Sequence, residues 1–158
     1  MRAPVGRTAL VVVLAFAALP GTAAAVSAAH MCTIVGTDDG EFLFGTKRND
    51  VICARGGNDI NAHRGSDLVR AGPGDDTATG LAGQDTLIGS RGYDYLSGGT
   101  QRDDLIGRAN DDCLNARDDH PGDEVQGGRG RDYAEYDHGD NVRAEVRHPR
   151  YCPARPVS

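Results

Sequence analysis

The chain has 158 residues, 22 of them glycine, with 23 acidic residues against 17 Lys and Arg, a net charge of −6 and no tryptophan. Mean hydropathy is −0.45. So acidic and aromatic-poor a chain excludes a large aromatic core and disfavours nucleic acid and anionic membrane as partners.

In chain order, the first element is a leader over residues 1–29. Arg2 and Arg7 form a basic start, Thr8 to Leu19 an apolar run, and Pro20-Gly21 a break. Ala23-Ala24-Ala25 offers an A-x-A cleavage site, with Ser27-Ala28-Ala29 as another. The apolar run is too short to span a bilayer, so the pattern predicts a secretory signal peptide and a secreted, extracellular protein. Cleavage would remove two basic residues and no acidic one, leaving the chain more acidic still. Residues 30–44 follow as a degenerate repeat and N-terminal cap. Gly36-Thr37 echoes Gly45-Thr46, and Ile34, Leu43, Phe42 and Phe44 are expected to close that end.

Residues 45–135 carry the dominant signal, a ladder of ten aspartates: Asp50, Asp59, Asp67, Asp76, Asp85, Asp94, Asp103, Asp112, Asp123 and Asp132. Their spacing is nine residues apart from a short step after Asp59 and a long one before Asp123. With each aspartate at position 6 of a nine-residue unit, position 4 is Gly57, Gly65, Gly74, Gly83, Gly92 and Gly130. Position 1 is Gly45, Gly80, Gly89, Gly98, Gly107 and Gly127, with Ala54, Ala62 and Ala71 as small substitutes. Position 8 is apolar: Ile52, Val69, Ala78, Leu87, Leu96, Leu105, Leu114, Val125 and Ala134. Self-similarity at a short fixed period marks stacked repeats. Arg48, Gln101 and Asn110 replace Gly at position 4, and an insertion around His120-Pro121 interrupts one unit, so weaker rungs are expected around Asp50, Asp103, Asp112 and Asp123. Residues 136–158 are expected to form a cap and an irregular tail. Asn141 falls on the ladder phase, and Tyr133, Tyr136, Val142 and Val146 are the expected cap. Cys32, Cys53, Cys113 and Cys152 suggest two disulfides; three connectivities are possible, and proximity favours Cys32–Cys53 and Cys113–Cys152.

The units resemble the RTX nonapeptide repeat, G-G-x-G-x-D-x-U-x with U a large apolar residue, over roughly residues 36 to 142. With its leader, the chain is similar to small exported hemolysin-type calcium-binding proteins of high-GC Gram-positive bacteria. The resemblance implies an all-β fold, a right-handed parallel β-roll of about five 18-residue coils. It implies that the ladder aspartates ligate Ca²⁺, pairing at about 18 residues between turns on the same side of the roll. One side would hold Asp50, Asp67, Asp85, Asp103 and Asp123, the other Asp59, Asp76, Asp94, Asp112 and Asp132, with up to about eight ions between them. A glycine-rich turn offers carbonyls and position 6 a carboxylate, which suits a hard cation that takes oxygen ligands. Roughly nine small inward side chains cannot offset the ordering of about 100 glycine-rich residues at about 1–2 kcal/mol each. At ten times its Kd each independent ion adds about 1.4 kcal/mol, so folding is expected to depend on calcium.

No H-E-x-x-H, G-x-S-x-G or P-loop occurs, and His30, His63, His120, His138 and His148 are scattered, so no enzyme activity is expected. Two binding roles remain. One is a calcium-folded structural or surface-interaction module. The other is a calcium-dependent adhesion or carbohydrate-binding protein using a flat face of the roll, with a cell-surface or extracellular glycan as its partner. A regular outward Thr-x-Thr array would favour the second, and only Thr77-Ala-Thr79 fits.

Overall fold

The computed structural model describes residues 31–143 and 146–147. The expected leader, and the tail beyond residue 147 with Cys152, lie outside the described residues.

Fourteen short strands follow one another: β1 (Ile34–Val35), β2 (Phe42–Phe44), β3 (Val51–Cys53), β4 (Asp59–Asn61), β5 (Leu68–Pro73), β6 (Thr77–Ala82) and β7 (Thr86–Arg91). Then come β8 (Tyr95–Thr100), β9 (Asp104–Ala109), β10 (Cys113–Asn115), β11 (Glu124–Arg129), β12 (Asp132–Glu135), β13 (Asn141–Val142) and β14 (Val146–Arg147). Odd strands stack as one seven-stranded parallel sheet and even strands as a second. The chain therefore winds as a right-handed parallel β-roll of about six coils. That exceeds the expected five because the degenerate segments at both ends are themselves wound into it: β1 pairs with β3, and β11 with β13.

The core follows from the period of two along each strand. In the odd sheet Ile34, Ile52, Val69, Leu87 and Leu105 stand in register and point inward. In the even sheet Leu43, Ile60, Ala78, Leu96, Leu114 and Ala134 do the same. Each coil thus contributes an apolar side chain to each sheet, joined on several coils by a small alanine such as Ala54, Ala62 or Ala71. The same alternation corrects the expected N-terminal cap. Because Leu43 points in, its neighbours Phe42 and Phe44 point out and are 67% and 54% exposed. At the other end Tyr136, Val142 and Val146 pack against the core, whereas Tyr133 stands on the outer face of β12, in register with Cys113.

Cys32 and Cys53 form a disulfide with a Cα–Cα distance of 5.8 Å, fixing the first coil to the second. Cys113 is also disulfide-bonded.

Candidate metal centre

Two rows of turns join the sheets. Turns leaving the odd sheet end in Asn58, Asp76, Asp94, Asp112 and Asp132. Turns leaving the even sheet end in Asp50, Asp67, Asp85, Asp103, Asp123 and Asp140. Each of these residues lies two positions before an inward apolar side chain, so the strand that follows turns it toward the axis of the roll.

One hydrogen bond recurs along both rows. The backbone N–H of each rung donates to Oδ1 of the rung one coil later. Asp67 N donates to Asp85 Oδ1 at 2.8 Å, Asp85 N to Asp103 Oδ1 at 2.8 Å, and Asp103 N to Asp123 Oδ1 at 2.7 Å. In the other row Asp76 N donates to Asp94, Asp94 N to Asp112 and Asp112 N to Asp132, at 3.0, 3.0 and 2.9 Å. The insertion around His120-Pro121 lengthens two same-row separations to 20 residues, Asp103–Asp123 and Asp112–Asp132, without breaking either bond, because the extra residues loop outward. Gln101 and Asn110 take the left-handed conformation usual for the glycine they replace, both with φ 82°.

Nine of the ten expected aspartates occupy rungs and are buried. Asp59 does not. Asn58 holds that rung, 2% exposed, and donates its N–H to Asp76 Oδ1, while Asp59 begins β4 and faces solvent. The reason is the register of Ile60, which must point inward and so sets the rung two residues earlier, at 58. The same rule places the last rung at Asp140, two before Val142, and not at Asn141. Asp140 Oδ1 accepts from Gly122 N at 3.0 Å and Asp123 N at 3.2 Å. Counting nines missed both residues; counting back from the apolar position finds them.

The rungs differ in their second oxygen. Oδ2 of Asp67, Asp85, Asp103, Asp112 and Asp123 is buried with no hydrogen-bond partner. A Cβ on Gly98 or Gly107 would land on Oδ2 of Asp103 or Asp112, so position-1 glycine keeps the space beside that oxygen clear. At position 4 the glycines permit a second close approach: a Cβ on Gly83 would strike Gly65 O of the previous coil. Carbonyl-bearing turns therefore stack directly on one another beside the carboxylates.

Burial pushes the carboxyls of Asp103 and Asp112 up to about 8, partly opposed by the N–H that each accepts and reinforced by neighbouring rungs. Asp67 and Asp123 rise to about 6, and Asp85 is also raised, again mainly by burial. Among the described residues no ion pair involves Asp67, Asp85, Asp103, Asp112 or Asp123. Buried charge without a cationic partner is costly, so these carboxylates need protons or a cation. No three His, Cys, Asp or Glu side chains converge among the described residues. An ion here would take one or two carboxylates and complete its shell with turn carbonyls, a donor set suited to Ca²⁺.

The RTX calcium-binding nonapeptide repeat (4 copies) matches residues 35–60, 61–96 and 88–120, more than half of the chain. The chain belongs to that family. No curated protein and no solved structure matches it at a significant level. Within this RTX protein the matched segments contain every interior rung up to Asp112. The Asp123, Asp132 and Asp140 rungs lie beyond them and continue the same geometry.

Proposed function

We propose that this RTX protein is a secreted calcium-binding protein whose interior rungs bind Ca²⁺ between successive coils and whose roll forms on binding. The observation that carries this is the row of buried Oδ2 atoms, on Asp67, Asp85, Asp103, Asp112 and Asp123, lacking any hydrogen-bond or cationic partner. Three same-side intervals on each row, Asp67 to Asp123 and Asp76 to Asp132, give about six ions. Asp50 is excluded, because its Oδ2 already accepts from Thr46 N at 2.7 Å and Thr46 Oγ1 at 2.8 Å.

The role is binding rather than catalysis: every buried aspartate among the described residues is a ladder rung. Export is supported by the disulfides, which persist in oxidising compartments. No helix among the described residues is long and apolar enough to cross a membrane.

Calcium titration by calorimetry with parallel circular dichroism tests the proposal. About six ions and a coil-to-β transition are expected. A spectrum unchanged between chelator and millimolar calcium would sink it.

A further inference from the structure

Arginines recur coil after coil along one corner of this acidic roll. The odd strands end at one corner, and there five successive coils each present one arginine: Arg55 after β3, Arg70 in β5, Arg91 at the end of β7, Arg108 in β9 and Arg129 at the end of β11. The strand register places four of them in two adjacent columns, with Arg70 two positions further back opposite Ile88. Arg91 pairs with Ala109 and Ala109 with Arg129, while Ser90 pairs with Arg108 and Arg108 with Gly128. At about 4.8 Å per coil, the row runs about 19 Å. All but half-buried Arg70 are exposed, and none of the five joins an ion pair among the described residues. The acids of the same turns, Asp75 and Asp111, accept backbone N–H groups from Tyr93 and Arg131 of the next coil. The opposite corner is less regular: its turns carry Lys47, Arg48, Arg64 and Arg102, the turn after β6 has no basic residue, and Arg117 beyond β10 is paired with Asp137.

Positive φ at this place in the turn belongs to the repeat, since Ser90, between Arg55 and Arg108, has φ 112°, and His63 and Leu81 share it at the other corner. One further observation points to a ligand. Arg108 and Arg129 flank a groove of about 500 Å³ floored by Ile106, Ala109, Gln126, Gly127 and Gly128.

We propose that this corner binds an extended anionic polysaccharide, one acidic group per coil or per second coil. The coil pitch is close to the length of one pyranose residue, whereas duplex phosphates recur every 3.4 Å per strand. Among the described residues half-buried Tyr93 is the one aromatic side chain in these turns, too few for a run of stacked bases. Net negative charge opposes such a partner only until the rungs load, since Ca²⁺ cancels the acidic excess. The inference therefore rests on the calcium-folded roll, and circular dichroism reads that condition separately.

The test measures calcium-loaded protein on immobilised heparin, hyaluronan and neutral dextran, with duplex DNA as a further surface. Salt-sensitive retention by sulfated or carboxylated glycan, and not by dextran or DNA, is expected; heparin alone would assign sulfate and hyaluronan alone carboxylate. The triple variant Arg91→Gln, Arg108→Gly, Arg129→Gln should lose about tenfold in affinity or more, with its calcium-dependent spectrum intact. A control of equal charge, Lys47→Gln, Arg64→Gln, Arg102→Gln, should change little. Should the triple variant fail to fold, Arg108→Gly alone, which relieves its backbone, must still weaken binding. No glycan retention, equal loss in the control, or stronger binding to DNA would overturn the proposal.

Discussion

The interior and the ends of the ladder use the same side chain in opposite ways. At Asp50 both carboxylate oxygens are occupied, Oδ2 by Thr46 and Oδ1 by Thr33 Oγ1 at 3.3 Å. At the far end Asp140 accepts from Gly122, Asp123 and Asp137, and Asp137 from the N–H groups of Asp118 and Asp119. Those donors hold the Asp137 carboxyl below its ordinary value. Inside, Asp103 and Asp112 keep one oxygen bare and are pushed up to about 8 by burial. An end rung is a cap, complete as the chain folds. An interior rung is incomplete until something positive arrives.

Calcium should break that symmetry most strongly. Asp103→Asn removes the charge but keeps the shape. It should abolish the two ions flanking Asp103 in calorimetry and sharply raise the calcium needed for the β transition. Asp50→Asn should leave the stoichiometry unchanged. In chelator the sign reverses, because removing a buried uncompensated charge stabilises the metal-free roll. Equal ion loss in both variants would erase the distinction between rung and cap.

The Cys32–Cys53 disulfide comes next. It closes a separation of 21 residues and secures the end that calcium does not reach. Replacing both cysteines by serine should cost about 3 kcal/mol in denaturant unfolding with calcium present. The ion count should be unchanged. A loss of interior ions would mean that end and interior fold as one unit.

Acid should partly replace calcium in the interior. The folded carboxyls of Asp103 and Asp112 titrate near 8, against an ordinary value of 3.8. Between those values the folded chain binds more protons than the unfolded chain, so metal-free stability falls as pH rises through about 8. In chelator, β structure measured by circular dichroism should be greater at pH 5 than at pH 8.5. In calcium the transition midpoint should move to higher calcium as pH falls, since protons compete for the same oxygens. A metal-free spectrum indifferent to pH would contradict the burial argument.

Much of this was legible in the sequence because a repeat states its constraints many times. The apolar residue at position 8 and the aspartate at position 6 located nine of the rungs, and the two-sheet roll with its two rows came from the resemblance to the RTX repeat. Misreadings fell where one constraint overrode another. Asp59 has the right residue type but the wrong register, since Ile60 and not the acid decides which way β4 faces. Phe42 and Phe44 look like core but flank Leu43, which takes the inward place. The caps on Asp50 and Asp140 depend on loop hydrogen bonds that no spacing encodes. The arginine corner was hidden because its members lie at different repeat positions, and only the register of neighbouring strands brings them together.

The smallest effect tests a cost that the repeat carries throughout. The second position of each turn takes positive φ, at Gly72, Gly99 and Gly128 but also at Leu81 with φ 78°. Leu81 is 39% exposed, so its side chain recovers little by burial. Leu81→Gly relieves a strain of about 1–2 kcal/mol, offset by about 0.5–1 kcal/mol of added chain entropy. A net gain of about 1 kcal/mol or less is expected, seen as a slightly higher Tm at saturating calcium with the ion count unchanged. Leu81 sits at the corner opposite the arginines, so its replacement should leave any glycan binding untouched. A loss of stability would mean that Leu81 packs better than its exposure implies.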